Sequence, residues 1–268
     1  MAVIRMNFLS QALGMQTNVT ICLPSFSFKD VMEGRKDVYV PGMKYQTLYL
    51  LHGGSGDDSD YVHFSNVTRY ADDHKIAVVM PCDYNASYDD DPAERGAKYR
   101  AFVAEELPKM CESIFPFSDR REDRFIGGLS MGGGGAIKIL CDHPENYAAA
   151  LIMSSSFGWG GLAPQGLAGI GPKAKDGKDP FDATEVRAKL LAAREAGKPI
   201  PQLFMTVGDN DHATKPMESH VAWLRENGFD PFFEEVPGYR HEWDFWDLSL
   251  RKAFNEWLPI RHAVIYPE

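Results

Sequence analysis

Arg124-Phe125-Ile126-Gly127-Gly128-Leu129-Ser130-Met131-Gly132-Gly133-Gly134-Gly135-Ala136-Ile137-Lys138-Ile139-Leu140 is the stretch from which the fold is read. Arg124 to Gly127 has the character of a buried strand, and a helix is predicted over 131–142. Between them stands Gly128-Leu129-Ser130-Met131-Gly132, a G-x-S-x-G pentapeptide. Glycine on both sides of the serine allows backbones to pass close to a sharp turn, because glycine has no Cβ. Such a turn lifts the serine hydroxyl clear of the sheet. The helix that begins just after it points N–H groups and the positive end of its dipole at any anion formed beside that hydroxyl.

Working outward, the same strand–helix rhythm recurs. Continuous apolar runs, the mark of strands buried on both faces, occupy 47–51, 76–80, 149–153 and 203–207, and 232–236 is a candidate for a last one. Helix-like segments lie at about 97–115, 183–196, 215–227 and 244–257. Regular alternation implies βαβ units, hence an α/β fold with a mostly parallel central sheet covered by helices on both faces. Two strand-like runs, Val3 to Phe8 and Thr17 to Leu23, separated by a turn with Gly14, predict an antiparallel N-terminal start. A single domain over 1–268 is expected. The Gly- and Pro-rich stretch 155–181 breaks the rhythm and reads as a loop or lid insertion, since long loops in compact domains are usually functional.

The 268 residues are 44% hydrophobic and 25% charged, which excludes a disordered chain, and no apolar run approaches the ~20 residues of a bilayer span. A net charge of -10 argues against nucleic acid and anionic membranes as partners. The N-terminus lacks a basic segment followed by a long apolar one, so a cytoplasmic location is expected. Four widely spaced cysteines, Cys22, Cys82, Cys111 and Cys141, are expected as buried thiols. A homodimer is the default assembly on frequency alone.

The chemistry needs partners for Ser130. A serine hydroxyl is a weak nucleophile at neutral pH and requires a base to take its proton. His241 lies beyond the last predicted strand on a loop leading into a helix, satisfying the order Ser…Asp…His that this strand–turn–helix arrangement uses. Val207-Gly208-Asp209-Asn210-Asp211-His212 supplies the acid; Asp209 and Asp211 are both candidates and Asp211 is favoured. His212 is expected to be an ordinary loop residue. Leu50-Leu51-His52-Gly53-Gly54 ends another strand and offers half of an oxyanion hole, with the amides of Gly54 and Met131 as the two donors and His52 in a structural role. Phe157, Trp159 and Trp243, with Phe245 and Trp246, are candidates for a substrate pocket. No metal or organic cofactor is expected: HExxH, CxxC and phosphate-loop patterns are missing, and Asp89-Asp90-Asp91 lacks EF-hand spacing and reads as a solvated acidic loop.

On these residues the chain resembles the esterase D family of α/β-hydrolases. It is nearest to the bacterial tributyrin and acetyl esterases, which shade into family-one carbohydrate esterases (acetyl-xylan and feruloyl esterases). The matching pieces are Leu50-Leu51-His52-Gly53, Glu105-Glu106-Leu107-Pro108, Gly127 to Gly133, Gly208-Asp209-Asn210-Asp211 and His241-Glu242-Trp243. The resemblance implies an α/β-hydrolase fold and a Ser130–Asp211–His241 triad. It implies a carboxylesterase for acetyl, butyryl or feruloyl esters, small or carbohydrate-linked. Two departures stand out: His212 follows the aspartate where relatives often carry an aromatic, and Ser55-Gly56-Asp57-Asp58 replaces the cysteine found there in S-formylglutathione hydrolases. The alternatives are such a thioesterase and a non-catalytic carbohydrate-binding relative.

Overall fold

The structure, a computed structural model, describes residues 1–36, 38–93, 96–155 and 183–267. Its strands are β1 (Ala2–Ser10), β2 (Met15–Leu23), β3 (Thr47–Leu51), β4 (Ala77–Pro81), β5 (Arg124–Leu129), β6 (Ala149–Met153), β7 (Gln202–Gly208) and β8 (Phe232–Val236). They form one sheet in the order β1-β2-β4-β3-β5-β6-β7-β8. β1–β2 and β2–β4 pair antiparallel, and every later neighbour pairs parallel. The antiparallel start and the parallel body are thus as the sequence predicts.

The central strands split their side chains between two layers with a period of two. From β3, Leu48 and Leu50 enter one apolar cluster and Tyr49 and Leu51 the other. The first cluster is closed by α3 (Val67–His74) and α9 (Trp243–Lys252) through Tyr70, Ala71, Phe245 and Leu250. The second is closed by α5 (Leu107–Ile114), α6 (Met131–Asp142), α7 (Thr184–Glu195) and α8 (Thr214–Glu226) through Cys111, Ile139, Leu190 and Val221. No helix among the described residues is long and apolar enough to cross a membrane. All four cysteines are free and buried, and burial pushes the Cys22 thiol up to about 12 and the Cys82 thiol to about 11.

The structure adds helices that sequence periodicity misses. α1 (Phe28–Met32) and α2 (Asp60–Phe64) are too short to show a periodic stripe, whereas α3 buries Val67, Tyr70 and Ala71 at helical spacing, a signal that sequence reading passes over. α1 is held by a capping box in which Ser27 and Asp30 satisfy each other's amides. The helix predicted over 97–115 begins as α4 (Tyr99–Ala101), passes through a π-helical turn, Phe102–Glu106, and continues as α5. Pro108 has no N–H to offer the Ala104 carbonyl, which instead accepts from Asn146 Nδ2. Glu106, from the Glu-Glu-Leu-Pro piece, accepts from Ser10 Oγ at 2.7 Å and from the Gln11 and Ala12 amides at 2.8 and 2.9 Å. It thereby pins the β1–β2 turn to the helical layer.

The Asp89-Asp90-Asp91 run is a pinned loop rather than a freely solvated one. Asp89 pairs with Arg100 at 2.8 Å and Lys138 at 2.7 Å, and Asp90 accepts from the Arg100 amide at 2.8 Å. Asp91 accepts from the Ala93 amide at 2.9 Å.

On α8, His220 is buried and accepts from Arg187 Nη2 at its Nδ1, 3.1 Å away. Burial, and then the Arg187 charge, lower its pKa to about 4. The unfolded chain therefore takes up this proton near pH 6.5 while the native protein refuses it until about pH 4. The stabilisation is complete above pH 6.5, is lost as pH falls toward 4, and amounts to about 3 kcal/mol. Thermal denaturation at pH 7 and pH 4.5 should give a smaller drop in Tm for His220→Gln than for the wild type. Equal drops would remove His220 from the acid response.

Candidate active site

Ser130 sits between the end of β5 and the start of α6 with φ 52° and ψ −118°. A non-glycine residue in so sparsely populated a region costs about 1–3 kcal/mol and persists only where its surroundings impose it. Here its amide donates to Met153 O at 2.9 Å and its carbonyl accepts from the Gly134 amide at 3.2 Å.

The glycines around it answer to close approach. A Cβ on Gly128 would lie 2.4 Å from Gly132 C. One on Gly132 would lie 2.1 Å from Leu51 O and 2.6 Å from His52 O. Close approach accounts for three of the four consecutive glycines of α6, each costing about 1 kcal/mol in propensity: Gly132 lies against the end of β3, and a Cβ on Gly133 or Gly135 would meet Ser155 Cβ at 2.6 Å or the Tyr88 ring at 2.5 Å. Gly132→Ala must push β3 and its following loop away from Ser130. Overpacking of this kind costs about 1–3 kcal/mol or more, so we expect Tm to fall by about 5 °C or more together with loss of turnover. An unchanged Tm would show that the two backbones can part freely.

The acid and base come from the adjoining strand ends. Asp211 follows β7, its side chain fully buried, with Oδ1 accepting from the Ala213 amide at 2.8 Å. His241 follows β8, and its Nδ1 lies 2.9 and 3.0 Å from the two Asp211 oxygens. Its Nε2 lies 2.9 Å from Ser130 Oγ. Burial alone would raise the Asp211 pKa, but the hydrogen bond and charge of His241, then the Ala213 amide and the nearby Ser154 hydroxyl, outweigh it and hold the carboxyl below its ordinary value. An ionised carboxylate can only accept, so Nδ1 carries the imidazole proton and Nε2 presents its lone pair to the serine hydroxyl. Asp209, the other candidate, is exposed and engaged elsewhere: Oδ1 accepts from the Gly238 amide and from Asn210 Nδ2, both at 2.7 Å. It ties the loop carrying His241 to the end of β7. A Cβ on Gly208 would meet Tyr239 O at 2.4 Å, so the two loops also need glycine at that point.

After β3, Gly53 lies against the elbow: its Cβ position is 3.7 Å from Ser130 Cβ. The next residue, Gly54, is on an exposed turn, and the Ser55 amide is taken by Asn85 Oδ1 at 2.6 Å. Met131 is the first residue of α6, where helical amides have no intrahelical acceptor. His52 is buried; its Nε2 accepts from the Asp83 amide at 3.0 Å, leaving Nδ1 to donate to Gly53 O at 2.8 Å. It clamps this loop to the one after β4, with both ring nitrogens engaged by backbone groups.

The aromatic residues divide. Phe157 and Trp159, with the rest of the stretch at 156–182, lie outside the described residues. Trp243 is half-buried and packs 5.5 Å from Tyr61, 5.3 Å from the exposed Phe64 and 5.2 Å from Trp246. Phe245 is core, not pocket. Trp246 is a correction of another kind. Only 7% exposed, it stands edge-on to the His241 ring at 5.0 Å and donates from Nε1 to Ser154 Oγ at 3.0 Å. The Ser154 hydroxyl is close enough to Asp211 to help hold its carboxyl below the ordinary value. Sequence reasoning misses Ser154 as a partner of the carboxylate; its position at the end of β6, beside the ends of β5 and β7, was the available signal.

A family model described as "Putative esterase" matches residues 10–256. The chain belongs to this esterase family. The esterase is 29% identical to an acetyl esterase of Caldicellulosiruptor saccharolyticus, with 96% of this chain and 98% of the relative covered. Among solved structures it is similar to FphF of Staphylococcus aureus, a fluorophosphonate-binding serine hydrolase with substrate bound. The TM-score is 0.80 at 28% identity, over 96% of this chain and 98% of that one. It is also similar to FrmB of Staphylococcus aureus, an S-formylglutathione hydrolase, with TM-score 0.76 at 29% identity and the same coverage. The α/β-hydrolase fold and the serine carboxylesterase class expected from the motifs therefore hold.

Proposed function

We propose that this esterase cleaves short-chain acyl esters, acetyl foremost, with Ser130 as nucleophile, His241 as general base and then acid, and Asp211 as its orienting carboxylate. The observation that carries the reading is the unbroken chain from Asp211 through His241 to Ser130, each link 3.0 Å or shorter. His241 takes the serine proton as Oγ attacks the acyl carbon and returns it to the leaving alcohol. Asp211 keeps the imidazole in the required tautomer and stabilises the imidazolium. The Gly54 and Met131 amides are the proposed oxyanion donors. Water then attacks the acyl-enzyme by the same route and releases the acid. Residues 1–268 act in this reading as one α/β-hydrolase domain.

The acetyl preference is supported by the likeness to an acetyl esterase along nearly the whole length of both chains. A thioester reading is supported by an equal identity to FrmB, and feruloyl esters remain in the substrate panel because a ferulic acid esterase is among the similar structures. An aryl fluorophosphonate should add one phosphonyl mass to the peptide bearing Ser130 and abolish turnover of aryl acetate. Initial rates on aryl acetate, aryl butyrate, methyl ferulate and a formyl thioester then rank the acyl groups. Acetate ahead of the other three supports the reading. A thioester faster by orders of magnitude overturns the substrate, and labelling anywhere but Ser130 overturns the site.

A further inference from the structure

His212 has no task in the reaction above, yet it stands against both members of the Asp211–His241 pair. Its Nδ1 lies 3.5 Å from Asp211 Oδ1. Its ring is 4.3 Å from the His241 ring, centroid to centroid, tilted by 43°. One donor atom from each of Asp211, His212 and His241 falls within 4.8 Å of the others. Two nitrogen or oxygen ligands at about 2.0–2.1 Å from a tetrahedral zinc ion stand roughly 3.4 Å apart. The spacings of 3.5 Å from His212 Nδ1 and 3.0 Å from His241 Nδ1 to Asp211 Oδ1 match that edge with little movement. Asp211 is buried, whereas the His212 side chain is 36% exposed, so the cluster can be reached from solvent on the His212 side. Two imidazoles and one carboxylate suit zinc and its neighbours among the transition metals, and not magnesium, which demands six oxygens.

We propose that Asp211, His212 and His241 form an inhibitory binding site for Zn2+, in which His212 is the ligand that distinguishes this site from a bare Ser–His–Asp arrangement. Coordination uses the lone pair of His241 Nδ1. The Nδ1 proton passes to solvent and Nε2 takes one up, so the imidazole stays neutral while its tautomer inverts. Nε2–H then donates to Ser130 Oγ instead of accepting from it, and the serine proton has no base. Asp211 is drawn from its hydrogen bond into the metal's coordination shell. The inhibition rests on the triad reading, whereas the binding does not. The cysteines do not compete, because all four are buried with raised pKa values. The other close histidine pair, His74 and His262, joined through their Nδ1 atoms at 2.6 Å, is exposed and lies in a different part of the chain.

The test titrates zinc chloride against aryl acetate hydrolysis and, separately, against the protein by calorimetry in a His262→Ala background that removes the exposed pair. The wild type should lose activity with zinc and regain it with a chelator, and magnesium chloride should have no effect. His212→Phe and His212→Ala should retain turnover without zinc. Each should raise the half-inhibitory zinc concentration and the calorimetric Kd by about tenfold or more. Calorimetry on Ser130→Ala keeps the binding measurable if the catalytic reading fails. Inhibition equal in wild type and both His212 variants, or a zinc Kd unchanged by them, overturns the site.

Discussion

Ser130→Ala is expected to lower kcat/KM for aryl acetate by about 10⁴–10⁶, the loss typical of a working nucleophile removed from a triad. The physical reason is that no other group can take its place. Ser130 is the residue whose hydroxyl lies 2.9 Å from the His241 lone pair, and its backbone is held at φ 52° by bonds to Met153 and Gly134. Deleting one oxygen leaves those bonds intact, so Tm should stay within about 2 °C of the wild type, a change of the size expected for less than about 1 kcal/mol. Some turnover above the uncatalysed rate should survive, because water can still be oriented beside amides that stabilise the oxyanion. The measurement is steady-state hydrolysis with a fluorophosphonate-inhibited sample as blank. A variant within tenfold of the wild type would remove Ser130 from the chemistry.

The second large effect is expected at Asp211→Asn, about 10⁴ in kcat with little change in KM. The carboxylate accepts from His241 Nδ1 and the Ala213 amide. An amide placed there can turn its NH2 toward His241, whose Nδ1 must then accept, so Nε2 acquires the proton and can no longer receive one from Ser130. Geometry is preserved while the tautomer is lost, which is why kcat rather than KM carries the change. Asp209→Asn is the matched control. That carboxylate is exposed and binds the Gly238 amide and Asn210, so its loss should slow turnover by about tenfold or less through a looser His241 loop. Comparable losses at the two positions would reverse the assignment of the acid.

The choice between those two aspartates shows where sequence reading stops. Both stand in one loop after β7, two residues apart, and spacing alone cannot say which faces the histidine. The turn decides it. The Asp211 amide donates to Gly208 O and Thr214 Oγ1 caps the carbonyls of Gly208 and Asp211, aiming the Asp211 side chain inward and leaving Asp209 to tie down the outer loop. The buried strands β3 to β7, by contrast, are legible nearly to the residue, because a strand covered on both faces must be almost wholly apolar. The short helices α1 and α2 leave no such trace, since a single turn cannot display a periodic stripe.

What the amino-acid order determines by itself is the alternation of strand and helix, the glycine-flanked Ser130, and the order of serine, acid and base along the chain. These are local or one-dimensional properties, carried by propensity, periodicity and the absence of a Cβ. Only the tertiary structure decides which loops meet at the carboxyl ends of β3, β5, β6, β7 and β8. It gives Ser154 and Trp246 their place behind Asp211, makes His52 a clamp, and sets His212 beside His241. Those contacts join residues as much as 111 positions apart, as His241 and Ser130 are, and no short-range pattern encodes a contact that exists only once the sheet has brought its strand ends together.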